Sequence, residues 1–281
     1  ESYLKVVQHY KPRVFVFENV PGILSAKPGD GSVRIIDLIQ KAFADAGYAV
    51  LPDLSNAIID MTEYGVPQNR KRIIILGVSK EHYGDKAEAM VEKFYSSYLP
   101  EYKIEKKATV RDAIGDLPKL RPLDEPISYL GRKLSHSVSD PLINGHISRF
   151  HNKRDIELFK FLEEDIASGR MKYTSAKSLK TLYTKLTGKT SNVHKYYVLR
   201  WDEPSNLIPA HLFKDGLRHI HPDPEQARTI TVREAARLQT FPDDYYFNCS
   251  QTDAFKMIGN AVPPLFAKKV AYAIYHLIQE N

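Results

Sequence analysis

The sequence of 281 residues has a single cysteine, Cys249, and no apolar stretch long enough to cross a membrane. One cysteine cannot form an internal disulfide or complete a cysteine-based zinc cluster, which excludes a disulfide-stapled scaffold and favours a reducing compartment. The first residues also lack the apolar core of a signal peptide. With 43% hydrophobic and 26% charged residues, the composition is that of a folded globular chain with one large domain or two smaller ones.

Basic residues are concentrated in one part of the sequence. Eight of the 40 Lys and Arg residues lie in 170–200, where there is no Asp or Glu, leaving 32 basic against 34 acidic residues elsewhere. A local excess of this kind predicts an anionic partner, with nucleic acid favoured over a solvated basic loop. Hydroxyl side chains interleaved with the lysines can donate hydrogen bonds to phosphate.

The spacing of apolar residues in the first eighty positions predicts an α/β fold. A helix should end at Lys11 and Pro12, and the continuous apolar run 14–17 is typical of a parallel strand covered on both faces. A helix over 33–46 closed by Gly47 and strands over 48–54 and 73–78 follow. These elements look like the second half of a doubly wound sheet, whose ligands bind at the carboxyl ends of strands.

The pattern changes in residues 107–227. Prolines punctuate this region and periodicity is weak, so we expect a loop-rich insertion with one clear helix at 156–166. After it, Thr231 and Glu234 have the spacing of a capping box, and a final helix is predicted over 264–279.

Four ordered segments carry a family resemblance. They are FENV at 17–20, GVPQNRKR at 65–72, RTITVREAARLQ at 228–239 and IGNAVPP at 258–264. Their order and content closely resemble the later blocks of DNA (cytosine-5) methyltransferases, and they extend across nearly the whole chain. The resemblance implies a Rossmann-like, S-adenosylmethionine-dependent catalytic portion at 1–106, a target-recognition domain at 107–227 and a return to the catalytic domain at 228–281.

The resemblance implies the roles of four polar residues in the chemistry. In this family a cysteine thiolate adds to C6 of cytosine, and a carboxyl group that protonates or hydrogen-bonds N3 makes the addition easier. Glu18 is expected to be that group, and Asn19 to fix its loop through hydrogen bonds to the backbone. Arg72 is expected to contact the base edge and Arg70 to organise Glu18, both tasks that suit a planar guanidinium.

Further roles follow from the same resemblance. Asn260, Val262 and the backbone of Ala261 are expected to contact the cofactor S-adenosylmethionine, and double-stranded DNA is the expected partner. Arg233, Glu234 and Arg237 are predicted to be structural. The candidate DNA contacts in the basic stretch are Lys177, Lys180, Thr181, Lys185 and Lys189.

Two features of the sequence favour structural over catalytic roles. Cys249 follows Asn248 rather than a proline, so it is not assigned as the nucleophile. The histidine strings at 146–149 and 219–222 lack a third ligand at suitable spacing, so no metal is predicted.

The family's glycine-rich cofactor loop and Pro-Cys block are missing from these residues. We therefore expect part of a methyltransferase, with the amino-terminal catalytic portion supplied by the same polypeptide or a separate subunit, and acting in the bacterial cytoplasm, in a restriction-modification system. One alternative is a non-catalytic DNA-binding specificity subunit of a split enzyme. A weaker alternative is a relative of the transfer-RNA methyltransferases.

Overall fold

The computed structural model describes residues 2–281 except 30, 32, 141 and 215, and these residues form two compact units. The first unit contains residues 1–65, 70–106 and 266–281, and the second contains 66–69 and 107–265. One boundary between the units lies near residue 106, and residues 228–265 pack with 107–227 rather than with the first unit. The assignment of 107–227 to target recognition stays a prediction.

Helices make up most of the regular structure in the described ranges. They are α1 (Ser2–Tyr10), α2 (Ile35–Asp45), α3 (Lys80–Tyr83), α4 (Lys86–Lys93), α5 (Val110–Ile114), α6 (Lys153–Ala167), α7 (Ala176–Thr187), α8 (Val232–Leu238), α9 (Gln251–Asn260) and α10 (Pro264–Gln279). The strands are β1 (Val14–Asn19), β2 (Tyr48–Ala49), β3 (Ile58–Asp60), β4 (Lys71–Ser79), β5 (Pro122–Tyr129) and β6 (Arg132–His136). None of the helices among the described residues combines the length and apolar character that a membrane crossing requires.

The sheet of the first unit is built around β4. Its isoleucines 73–75 are at most 1% exposed, as expected for a central strand. Strands β1, β2 and β3 all pair with it in antiparallel fashion. The prediction of a parallel strand at 14–17 is therefore wrong within this sheet, because an apolar run reports burial but not direction. Of the strand predicted over 48–54, only the first two residues form a strand, β2. Strand β3 was not predicted.

Close packing of β1 against β4 depends on a glycine. Phe15 lies opposite Gly77 in the register, and a Cβ added at Gly77 would come within 2.1 Å of the Phe15 ring. The ring also packs on Phe43 of α2, with centroids 4.4 Å apart. This contact packs α2 against β1. The position of the last residues of β1 is thereby fixed.

Two apolar clusters lie among the described residues of the second unit. One joins α5, α8 and α9 through side chains such as Ile114, Ala235 and Phe255, and the other joins α6 and α7 through Phe159 and Leu179. The predicted helix at 156–166 is confirmed as α6. Helix α7 and the β5–β6 hairpin were not predicted, so the region is less loop-rich than its weak periodicity indicated.

A buried ion pair lies at the start of α8. The predicted capping box is confirmed, since Thr231 and Glu234 exchange side-chain and backbone hydrogen bonds. The Arg228 guanidinium donates to both Glu234 carboxylate oxygens at 2.6 and 2.7 Å, and both side chains are at most 1% exposed. Arg233 donates to three backbone carbonyls of this unit, and Arg237 pairs with Asp243 at 2.7 Å. These contacts are the structural roles predicted for the block.

Candidate active site

Glu18 and Arg72 form an ion pair in the first unit. Arg72 Nε lies 2.9 Å from Glu18 Oε1, and the two side chains are 11% and 27% exposed for Arg72 and Glu18 respectively. The pair forms because β4 runs antiparallel to β1, which places the beginning of β4 beside the end of β1. The carboxylate is thus held in one position while part of it stays accessible from outside.

Arg70 lies just before β4 and is 2% exposed. Its backbone carbonyl accepts a hydrogen bond from Met61 N at 2.9 Å, which fixes the entry to the strand. Burial, then the neighbouring charge of Arg72, lowers the pKa of the Arg70 guanidinium to about 10, and the charge of Glu18 opposes this. Glu18 and both arginines therefore share one electrostatic environment.

Arg72 makes the ion pair with Glu18, because it lies within β4 and opposite the end of β1. Arg70 precedes the strand and interacts with Glu18 through its charge. The organising role expected for Arg70 and the base contact expected for Arg72 stay predictions. The intervening Lys71 is exposed and lies 3.8 Å from Asp60, on a different side of the strand from its neighbours.

Asn19 ends β1 and shapes the loop that follows. Its Oδ1 accepts a hydrogen bond from Val20 N at 2.8 Å, and residues Pro21–Leu24 then form a short 3₁₀ helix. A side chain that accepts from the next backbone amide stabilises a turn. This is the kind of contact predicted for Asn19.

The candidate cofactor residues lie in the second unit, where α9 ends. Asn260 is the last residue of α9 and is exposed, and Val262 is half-buried. The backbone groups of Ala261 are engaged in the turn itself, because its N–H donates to Met257 O at 3.1 Å and its carbonyl accepts from Gln239 Nε2 at 2.6 Å. Of the three residues, Asn260 and Val262 have side chains that are at least partly accessible.

The candidate DNA contacts lie on and just after α7, also in the second unit. Lys177, Thr181 and Lys185 are exposed at i, i+4 and i+8, so they share one face of the helix, and Lys180 borders it. Leu179 and Leu182 are buried on the other side. The Thr181 hydroxyl donates to Lys177 O at 3.0 Å, so its proton is already used within the helix.

Lys189 lies beyond the end of α7. Gly188, with φ of +69°, ends the helix and turns the chain, and Lys189 is exposed after it. No acidic residue lies between Arg170 and Arg200. The face of α7 together with Lys189, which we call the basic face, therefore has lysines and no acidic residue of its own segment.

The two histidine strings and Cys249 belong to the second unit. His146 Nε2 is 2.8 Å from Pro118 O and its Nδ1 is 3.1 Å from Thr231 Oγ1, while burial lowers the pKa of His221 to about 3. Cys249 is exposed, with its sulfur 3.8 Å from Met257 Sδ. All of these are contacts within the protein, and the structural roles favoured by the sequence stay predictions.

Sequence reasoning missed two buried glutamines, Gln68 and Gln239. Both are 0% exposed, and their side chains are hydrogen-bonded to each other. The signal available in the sequence was that Gln68 lies in the segment 65–72 and Gln239 in the segment 228–239, both of which carry the family resemblance. Nothing local in the sequence pairs them, since they are 171 positions apart.

Comparisons with known proteins place this sequence among related chains. The family model of the C-5 cytosine-specific DNA methylase matches residues 2–276. The type II methyltransferase M.Bpa9945I of Bacillus paralicheniformis is 35% identical over 99% of this chain and 63% of its own length. The type II methyltransferase M.AgeI of Thalassovita gelatinovora is 30% identical over 97% of the chain and 75% of its own length.

A solved structure shares the fold. An Escherichia coli prophage protein described as a DNA modification methyltransferase aligns with a TM-score of 0.62 and 23% identity, over 99% of this chain and 73% of that protein. The chain spans 63% of the length of the Bacillus relative, just under two thirds. The chain belongs to the C-5 cytosine-specific DNA methylase family.

Proposed function

We propose that this chain is part of a DNA cytosine-5 methyltransferase of a bacterial restriction-modification system. The enzyme would transfer a methyl group from S-adenosylmethionine to C5 of a cytosine flipped out of a specific duplex sequence, in the cytoplasm. The observation that carries the proposal is the Glu18–Arg72 pair at the end of β1, beside Arg70. The family match and the type II relatives support it.

The geometry of the pair supports a role in cytosine chemistry. Glu18 uses one oxygen to accept from Arg72 and is 27% exposed, so the carboxyl group can also reach a base. A fixed carboxyl group at N3 lowers the barrier to nucleophilic addition at C6. Arg72, held beside it, can hydrogen-bond the base edge, and buried Arg70 adds positive charge that stabilises the developing negative charge.

The turn after α9 fits the proposed cofactor. S-adenosylmethionine would supply the electrophilic methyl group when bound. The exposed Asn260 amide can donate to and accept from its polar groups, and Val262 offers apolar surface. Because the backbone of Ala261 is hydrogen-bonded within the turn, we assign that residue a supporting role.

The basic face would contact the DNA backbone. We expect that replacing Lys177, Lys180 and Lys185 with glutamine weakens duplex binding and makes the slope of log K against log salt less negative by about 2.7, because each neutralised phosphate contributes about −0.9. Fluorescence anisotropy of a labelled duplex over a salt series measures this. Replacing the exposed Lys93, Lys106 and Lys107 instead is the matched control and should leave the slope unchanged. An equal change of the salt slope in both triple variants would contradict the assignment.

We further propose that the amino-terminal catalytic portion completes the sheet beside β1. Among the described residues β1 pairs only with β4, so by alternation its residues Val14, Val16 and Glu18 direct backbone groups away from β4. An apolar groove of about 480 Å³ adjoins this strand, lined by residues that include Leu4, Phe17 and Leu38. An open strand edge next to apolar surface favours a strand and helix from another segment.

Reconstitution tests the proposal. The chain is mixed with an amino-terminal portion that carries the glycine-rich loop and Pro-Cys block, taken from a relative, and labelled methyl transfer to duplex DNA is measured. We expect transfer only by the mixture, which we call the reconstituted enzyme, and no effect of Cys249→Ser. Transfer RNA as a competing substrate should not be methylated.

The basic face also supports a second candidate function. A non-catalytic specificity subunit would bind DNA through α7 and have no use for Glu18 or for the turn after α9. In that case the mixture would bind duplex DNA without methyl transfer, and S-adenosylmethionine would not protect it against heat. Protection by S-adenosylmethionine together with transfer would exclude this function.

A further inference from the structure

We infer that Gln68 and Gln239 act as positioning residues that hold the 259–265 turn, and with it Asn260 and Val262, in a shape that binds S-adenosylmethionine. We call the two side chains the amide clamp. The inference rests on the proposed function, since it names residues that act through the cofactor turn rather than on the cofactor itself. All residues of the clamp and the turn lie in the second unit.

Gln68 is the anchored half of the amide clamp. Its Nε2 donates to Leu238 O at 3.0 Å and to Gln239 Oε1, and its Oε1 accepts from Ile208 N at 3.2 Å. The backbone on either side of it is fixed as well, through Pro67 O and Asn69 N, which both bond to Ser205. With backbone and side chain both bonded, Gln68 is held in a single rotamer.

Gln239 is the half that contacts the turn. It accepts from Gln68 through Oε1, and its Nε2 donates to Ala261 O at 2.6 Å. Its backbone N–H bonds to Ala235 O and Ala236 O and so ends α8. Gln68 thus sets the orientation of the Gln239 amide. The Gln239 amide in turn holds the Ala261 carbonyl, which lies between Asn260 and Val262.

Two further contacts hold the same turn. Thr240 has φ of +65°, an unfavourable conformation for a β-branched residue, and its Oγ1 accepts from Leu265 N at 3.1 Å. A Cβ added at Gly259 would come within 2.3 Å of the Pro209 and Ala210 backbone, so only glycine fits there. Backbone strain is retained where the surrounding structure fixes it, and such sites are often functional.

Packing alone does not require two glutamines here. Both side chains are 0% exposed, and burying an amide in place of an apolar side chain costs free energy unless its polar atoms are bonded. The polar atoms of both amides are bonded here, whereas a leucine or methionine of similar volume would fill the space but leave Leu238 O, Ile208 N and Ala261 O without these partners. What the amides add is a directed hydrogen bond to one carbonyl of the turn.

Amide hydrogen exchange of the chain by itself tests the clamp without any assay of activity. Gln239→Met keeps the volume of the side chain and removes the donor to Ala261 O. We expect exchange of the Ala261, Val262 and Leu265 amides to become on the order of tenfold faster. Thr240→Val, which removes the acceptor of Leu265 N, should have an effect of similar size at Leu265.

The matched control is Gln226→Met. Gln226 is 4% exposed and bonds to Leu120 N and Arg228, so the same chemical change breaks a buried amide network away from the turn. Exchange at 261–265 should stay at the wild-type rate in this variant. The clamp is refuted if Gln239→Met leaves exchange in the turn unchanged, or if Gln226→Met accelerates it equally.

Kinetics of the reconstituted enzyme test the link to the cofactor. Gln239→Met should raise KM for S-adenosylmethionine about tenfold with kcat within about twofold and KM for DNA unchanged, because only the turn is loosened. A general loss of folding would instead lower activity at all substrate concentrations. Faster exchange with an unchanged KM would overturn the positioning role. A wild-type complex that never binds S-adenosylmethionine would refute the proposed function, while the exchange result still decides the clamp.

Discussion

Replacing Glu18 with glutamine is expected to lower methyl transfer by the reconstituted enzyme by about 10²- to 10⁴-fold, the usual contribution of a positioned acid or base. Glutamine has nearly the same shape and can still accept from Arg72 Nε, which lies 2.9 Å from the carboxylate oxygen. It cannot deliver a proton to N3 of cytosine. Single-turnover transfer of labelled methyl measures the chemical step directly.

The control for this variant is Glu81→Gln. Glu81 belongs to the same unit and pairs with Lys11 at 3.3 Å, but its side chain is 68% exposed. Its replacement should leave the rate unchanged, and Glu18→Gln should leave the affinity for duplex DNA within a few fold. A transfer rate equal to wild type in Glu18→Gln would remove Glu18 from the mechanism.

Replacing Glu234 with glutamine is expected to lower the free energy of unfolding of the second unit by about 3–5 kcal/mol. The change leaves the Arg228 guanidinium buried without its counter-charge, although the glutamine can still accept at Thr231 N. Urea denaturation followed by tryptophan fluorescence measures it, since Trp201 lies in this unit. A replacement of both partners, Arg228→Met with Glu234→Gln, should recover part of the loss.

The same ion pair sets a pH dependence. Burial alone would raise the pKa of Glu234, but the Arg228 guanidinium outweighs it and holds that pKa well below its usual range. A carboxyl group with a depressed pKa stabilises the folded state above its unfolded pKa of about 4.3, and this contribution is lost as pH falls towards the folded value. Glu234→Gln should therefore flatten the acid limb of the stability curve.

An exposed ion pair provides the control for the Glu234 variant. Lys41 and Asp45 are spaced i, i+4 on α2 and are 72% and 62% exposed. Asp45→Asn should cost no more than about 0.5 kcal/mol. Equal losses in the two variants would show that burial does not decide the strength of the Arg228–Glu234 pair.

Features encoded by neighbouring residues could be predicted from the sequence. The capping box of Thr231 and Glu234 depends on residues three positions apart, and the helices at α2, α6 and α10 depend on a repeat of apolar side chains. The family resemblance supplied the segments that contain Glu18 and Arg72. Both kinds of information are contained in short stretches of chain.

Features that depend on strand direction or distant partners could not be predicted. The Arg72–Glu18 contact requires β4 to run antiparallel to β1, and the identity of the pairing arginine follows from register. Helix α7 was missed because its apolar face is short, with Leu179 and Leu182 buried among lysines and threonines. The contact from Gln239 to Ala261 joins the end of one helix to the turn after the next.

The order in which the chain is synthesised has a consequence for its folding. The first unit needs residues 266–281, whose Phe266, Val270 and Leu277 are buried, but these emerge only after 107–265. At about 5–20 residues per second the ribosome takes on the order of ten seconds to bridge that interval. Meanwhile the second unit is already able to form. Apolar side chains that pack against 266–281, such as Tyr64 against Phe266, stay incompletely covered until these residues emerge, so we expect nascent chains to associate through the first unit.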